Sequence, residues 1–546
     1  MIDPTGITSY EHDMSGRAAK VTRSGRWVAY KYDENGNRGE MNVHLDAQTE
    51  HVTSYHYNIR GLLDKVTDQL NHDTTYTYYD NGMVNTITYM NGTKAVHSYN
   101  SRNWLTTLSN QKSNGTVIAE FAYTYDPTDW GKSGNRTRVV ENILKPDGNR
   151  INAKVDYEYD DLYRLVHETR TAYNGGDAGV TYEYNFAYDP AGNRTSWEIV
   201  GGATTTYSYD DANKMTGPGT FTYDDAGNTL THVYSGTTST YTWDCRNRLT
   251  QWEQTYEASV NFVYDGDGNR ISKTSGSTTT TFVLDGAEVV EEITGASTVS
   301  YVGPGLLHKI TGTDSATYHA DGIGSTRVIM DDDGQTVVQA LVYDAYGTLI
   351  AYLGGTGQPS FAYAGQYRYY ADPETELSHL KARYYVDEVG RFLSADPVRQ
   401  KTGNRSYDYV NGDPVNRVDP TGLFYQCTQI GFDVGFVPGI GGRGGCSEYL
   451  CHDPMSNCPE AWSIRLCYGC VCLGLYAGIS VDIGACITRQ LACLAGGWSV
   501  GGSGPVVGGQ IDFSSDFFCG QVGVGFGGGA YACRCWGHIT SIIHAH

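Results

Sequence analysis

At 546 residues the chain exceeds an ordinary single domain, although a repeat array can reach that length. Its 44 Tyr, with many Thr and Val, favour pleated strands, and 67 Gly mark turns, which sets the fold class as all-β. The net charge is −22; the last 123 residues hold 4 Lys and Arg against 7 Asp and Glu, leaving −19 to the first 423, a balance that repels phosphates and argues against nucleic-acid binding by that part.

The opening stretch MIDPTGITSYEHDMSGR has no basic start followed by an apolar run, so it does not read as a signal peptide. It reads as the middle of a repeat, which implies a longer parent chain. From there to about residue 280 an aromatic precedes Asp or Asn at the start of each turn: Tyr32, Tyr57, Tyr79, Tyr99, Tyr125, Tyr159, Tyr188, Tyr209, Tyr223, Trp243 and Tyr264. The intervals run from 14 to 34 residues, too loose for a rigid solenoid rung and suited to strand pairs with variable loops.

Two aromatics at i and i+2 precede many of these turns, as in Tyr76/Tyr78, Tyr182/Tyr184 and Tyr241/Trp243, and in a strand they share one face. The following Asp can accept from turn amides, and Gly or Asn takes the left-handed position, as in Asp189-Pro-Ala-Gly192-Asn193. One strand–turn–strand unit cannot bury its aromatic face, but a stack can. The expectation is one continuous sheet rolled on itself over residues 1–423.

YDPAGNR (188–194) and YDGDGNR (264–270) closely resemble the pattern of the RHS/YD-repeat proteins. Residues 318–347 and FAYAGQYRYY (361–370) look like that family's entry into its RHS-associated core. The resemblance covers about 420 residues and implies a YD-repeat β-sheet spiral that forms a hollow shell, or cocoon. It divides the chain into a repeat array at 1–281, a core that closes the shell at 282–423 and a variable C-terminal domain at 424–546. Departures stand at Glu376, Ser378 and His379, where the family tends to have Gly and aromatics, and at Val386-Asp387, which replaces an expected Asp-Pro.

The stretch 383–423 contains Asp396-Pro397 and Asp419-Pro420, the second continuing as Asp419-Pro-Thr-Gly-Leu423. By resemblance Asp396 and Asp419 match a pair of acids that cuts the chain once, with Leu423-Phe424 as the bond at risk. Arg391 matches an arginine that holds the loop or stabilises an acid. Two acids about 3 Å apart cannot both ionise, so one draws a proton from water while the other polarises the carbonyl. Arg399 stands where the family has Gly, and its Cβ and charge count against cleavage. The alternative is that Asp-Pro only builds turns, as the same letters in Asp3-Pro-Thr-Gly6 suggest.

After Leu423 the period vanishes. Of 13 Cys, twelve lie in the tail: Cys427, Cys446, Cys451, Cys458, Cys467, Cys470, Cys472, Cys486, Cys493, Cys519, Cys533 and Cys535. That density reads as a small disulfide-rich, glycine-rich domain in an oxidising compartment. Cys467-X-X-Cys470-X-Cys472 and Cys533-X-Cys535, completed by His452 or His538, offer zinc as the lesser reading. A site among Cys446, Cys451 and His452 has no spacing to support it. His544 and His546 read as a frayed terminus, and Cys245 reads as a buried strand residue. Leu466–Val481 is too short to span a membrane. No cofactor and no metal is expected.

The resemblance implies a bacterial, polymorphic-toxin-type protein, secreted or at the cell surface, whose shell encloses its own C-terminal domain as cargo. A secretion apparatus, a missing N-terminal portion and an immunity protein are the partners it suggests. The alternative is an extracellular structural or adhesion protein with a disulfide-stapled tail and no toxin activity.

Overall fold

The computed structural model describes residues 6–126, 134–355, 357–397 and 407–423 with their side chains, and the backbone alone of residues 2–3, 426–427, 444–451, 462–473, 517–524 and 530–544. Two compact units divide the chain, Met1–Gly435 and Phe436–His546. The first is almost wholly antiparallel β-structure, with two short 3-10 turns at Gly365–Tyr367 and Val410–Gly412. No helix among the described residues is long and apolar enough to cross a membrane.

The repeat chemistry is visible in each hairpin. At Asp189 the backbone N–H donates to the Asn193 carbonyl and Gly192 N–H donates back to the Asp189 carbonyl. The Asp189 carboxylate accepts from Asn193 N (2.8 Å) and from its side-chain amide (2.8 Å). Asp33, Asp224 and Asp265 repeat that double bond to Asn37, Asn228 and Asn269. Gly192 takes φ 94, so the turn is the tight kind that adds one left-handed residue and a bulge, and the register shifts beside Tyr188 accordingly.

The aromatic before each turn is more than apolar filling. Tyr188 donates its hydroxyl to the Leu165 carbonyl, Tyr159 to Arg136, Tyr125 to Leu105 and Tyr264 to Leu249. Trp243 can stand in because its indole N–H reaches the Thr229 carbonyl at 2.7 Å. At one repeat the register differs from expectation. Tyr79 itself begins the turn, in the place of Asp, and Tyr78 makes the hydroxyl bond, to Leu63.

The expected single sheet is divided. Eighteen consecutive strands from Ile2–Asp3 to Thr204–Thr206 form one sheet, and fourteen from Thr220–Tyr223 to Leu349–Gly354 form another. A two-stranded piece, Ser208–Tyr209 with Met215–Gly217, lies between them in sequence. The boundary expected at 281/282 falls inside a strand, Thr278–Asp285.

The two large sheets share cores. Leu63, Phe121, Ile143 and Ile151 of the first pack with Ile310, Val328, Met330 and Val342 of the second. A buried Phe or Leu of this kind stabilises by roughly 1.5–3 kcal/mol. The arginines closing three Gly-Asn-Arg turns cross between layers: Arg38 pairs with Asp285, Arg270 with Asp372, and Arg194 donates to the Glu388 carbonyl.

Four short strands form a further sheet, Tyr370–Asp372, Leu377–Leu380, Arg383–Val386 and Arg391–Phe392, and Arg417–Val418 pairs with Gln426–Cys427. Glu376, in the turn between the first two, holds a left-handed φ of 56. Cys245 is exposed in the turn of Asp244 to Arg248, not buried in a strand. In the second unit the strands Gly444–Cys451, Trp462–Leu473, Ala530–His544 and Phe517–Val524 lie side by side in that order, all antiparallel.

Candidate functional site

Strand Arg383–Val386 pairs on one side with Leu377–Leu380 and on the other with Arg391–Phe392. Alternation puts Arg383 and Tyr385 on the same face. Tyr385 joins the core of Tyr369, Phe392, Tyr409 and Val418, and Arg383 lies with its guanidinium 3.6 Å over the Phe392 ring. A guanidinium is therefore buried, 4 % exposed, on a wall of aromatics. Such a charge is costly unless paired.

Its partners are the two acids singled out in the sequence. Arg383 Nη2 lies 3.6 Å from Asp396 Oδ2 and 3.7 Å from Asp419 Oδ2. The acids are 3 % and 2 % exposed. Their Oδ2 atoms are thus no farther apart than the sum of those two distances. The arrangement differs from two bare carboxyls, because a buried guanidinium stands beside both.

The loop 419–423 is held at nearly every donor. Asp419 Oδ1 accepts from Gly422 N at 2.8 Å, Leu423 N at 3.1 Å and Thr421 N at 3.3 Å. Asp419 N donates to the Tyr369 hydroxyl at 2.6 Å, and that hydroxyl meets Tyr409 Oη at 3.1 Å. Burial, then Tyr409 and Asp419, push the Tyr369 phenol well above its ordinary range, so it stays protonated. Arg383 Nε donates to the Gly422 carbonyl, and Ala382 N donates to that of Thr421. Gly422 has φ 74, and a Cβ there would stand 2.4 Å from the Leu380 carbonyl oxygen, so only glycine fits. Gly422, next to Leu423 at the expected cut, is thereby fixed.

Arg391 is engaged elsewhere. It is buried, donates to Asn193 Oδ1 (2.8 Å) and the Asn213 carbonyl (2.7 Å), and lies 4.5 Å over the Tyr209 ring. It binds the closing strands to two repeat turns. The cation that meets both acids is Arg383, which sequence reasoning passed over, as it did Tyr369. An arginine two residues before a core tyrosine on one strand face was the available signal: a buried cation calls for acids.

Arg399, Phe424, His452 and His546 lie outside the described residues, as do the cysteine side chains of the tail, so the zinc and disulfide readings do too. Backbone register sets Cys446 opposite Cys467, Cys470 opposite Cys535 and Cys472 opposite Cys533.

A family model described as Teneurin YD-shell matches residues 132–415. The chain is 29% identical over 285 residues to the tRNA3(Ser)-specific nuclease WapA of Bacillus spizizenii, covering 48% of this chain and 12% of that protein. It is 32% identical over 169 residues to the double-stranded DNA deaminase toxin A of Burkholderia cenocepacia, covering 26% and 11%. The chain thus spans only a small part of these relatives. Among solved structures, TcdB2-TccC3-TEV superposes with a TM-score of 0.56 at 18% identity, over 76% of this chain and 25% of that one. That likeness speaks for the fold.

Proposed function

The chain belongs to the teneurin YD-shell family, and from that membership we propose that residues 1–423 enclose a C-terminal effector, residues 424–546, which the protein severs from itself after Leu423. The observation that carries the reading is the convergence of Asp396 and Asp419 on Arg383 while Arg383 also holds the Gly422 carbonyl. Two relatives named for a nuclease and a toxin support an effector role for the segment that follows the repeats.

The geometry divides the labour. Asp419 Oδ1 is committed to the loop amides, so Asp419 holds the strand of peptide in place. Asp396 takes a proton from water as the hydroxyl adds to the Leu423 carbonyl carbon. Arg383 fixes the preceding carbonyl and balances the two acids. As the carbon–nitrogen bond breaks, the proton passes to the Phe424 nitrogen, leaving a carboxyl on Leu423. Water is consumed and no other reactant is needed. Tethering the bond beside the acids replaces substrate binding, an advantage of roughly 7–11 kcal/mol in well-oriented systems. The chain works once.

The 281/282 and 423/424 boundaries, export to the exterior, and an immunity partner belong to this same reading. The test is to purify the whole chain and compare native with denaturing separation. One native species that yields two fragments, the smaller beginning Phe424-Tyr425-Gln426, supports the reading. A single denatured chain without growth arrest on cytosolic expression returns the protein to the structural, adhesive role.

A further inference from the structure

Between the two large sheets lies a cavity of about 50 Å³, where roughly 10–15 Å³ suffices for one water. Strands Val117–Tyr125, Arg136–Leu144 and Arg150–Tyr159 wall one side, and Thr326–Met330 with Val337–Tyr343 the other. Three polar atoms on its lining have no protein partner: Arg136 Nε, Arg327 Nη2 and Tyr343 Oη. Their residues are 2 %, 4 % and 7 % exposed. All three can donate.

The charges around them are unequal in their compensation. Arg327 Nη1 meets Glu141 at 2.9 Å and Asp321 at 3.1 Å, and Glu141 also pairs with Arg170. Arg136 has carbonyls instead: Val415 at 3.2 Å and Gly322 at 3.0 Å, with Tyr123 beneath it. Asp321 and Asp413 act on this guanidinium through space, but it forms no direct ion pair among the described residues. Asp344 also lines the cavity, where its carboxylate accepts from Thr348 N at 2.9 Å.

We propose that this cavity binds one small monovalent anion, of the halide class, on Arg136, Arg327 and Tyr343. An acceptor-only ligand satisfies all three donors at once and gives Arg136 a direct ionic partner. Glu141, Asp321 and Asp344 on the same lining disfavour a multiply charged anion such as phosphate. The groups facing the anion are Arg136, Arg327, Glu141, Asp321 and Asp344, with the protonated phenols of Tyr123, Tyr157, Tyr343 and Tyr363. Burial pushes Asp344 up to about 6, with Glu168 coupled to it from behind. Asp344 is neutral below that range and repels an anion above it, so binding strengthens as pH falls.

Bromide is the probe, used on the full chain. In crystals grown with bromide, the anomalous map should show a peak within about 3.5 Å of all three donors. In solution at constant ionic strength, bromide exchanged for gluconate should raise the Tm, with a midpoint at least several-fold lower at pH 5 than at pH 8. Tyr343→Phe removes one donor and should weaken the bromide midpoint about 10-fold. Ordered waters at the three donors with no anomalous peak overturn the proposal, and the wild-type map decides it even where the variant folds poorly. A bromide effect equal in wild type and a folded Tyr343→Phe overturns it as well.

Discussion

Arg383 donates its Nε–H to the carbonyl of Gly422, 39 residues further along the chain. The same guanidinium lies within 4 Å of Asp396 and Asp419, so one strand-borne cation joins both acids to the loop that ends at Leu423. Loss of this guanidinium, with its charge kept, should stop the cut without unfolding the protein. Arg383→Lys keeps the charge but cannot hold a carbonyl and two carboxylates in one plane. An uncut chain with a near-native urea midpoint is the expected result.

Arg391 should behave in the opposite way. Its two hydrogen bonds join the closing strands to the Asn193 and Asn213 turns, far from the bond to be cut. Arg391→Ala should lower stability by roughly 2–4 kcal/mol, since buried polar groups lose their partner. The folded fraction should still cleave. Urea denaturation read beside a denaturing gel separates the two effects.

Gly422→Ala places a Cβ against the Leu380 carbonyl at a left-handed φ. The loop must shift, and a displacement of about 1 Å at a reacting bond costs on the order of 100-fold in rate. The cleavage time course of freshly translated chain should show that slowing, while the core of Tyr385 and Tyr409 keeps its near-ultraviolet signature.

Four buried acids make stability depend on pH. Burial raises Glu168 to about 8, Asp344 to about 6, Asp387 to about 7 and Asp413 to about 7. In the unfolded chain such groups lose their protons near pH 4. As pH rises above 4 the unfolded state therefore binds fewer protons than the folded one, and stability falls until the folded groups also ionise. Glu141, held down to about 2 by Arg170 and Arg327 against its burial, acts with the reverse sign, gaining stability between about pH 2 and 4. The urea midpoint should thus decline steadily from pH 5 to pH 8. Glu168→Gln should flatten the decline.

What the sequence disclosed was local chemistry. The Asp-to-Asn turns, the left-handed glycines and the paired aromatics are each decided within about five residues, and they stand in the structure as expected. The register at Tyr78 and Tyr79 was not decidable, because two adjacent tyrosines satisfy the pattern equally and only the hydroxyl bond to Leu63 chooses between them. The break between the two large sheets and the partners of Arg383 and Arg391 depend on contacts across long stretches of chain. Periodicity carries no information about those. Asp396 and Asp419 were found through their motifs; their shared cation required the fold.

The central claim is that Asp396 and Asp419 together sever Leu423-Phe424. The most direct measurement is the intact mass, under denaturing conditions, of wild type, Asp396→Asn and Asp419→Asn. The account predicts two masses for wild type, matching residues 1–423 and 424–546, and one full-length mass for each variant. A full-length wild type, or variants that divide at the same bond, would contradict it.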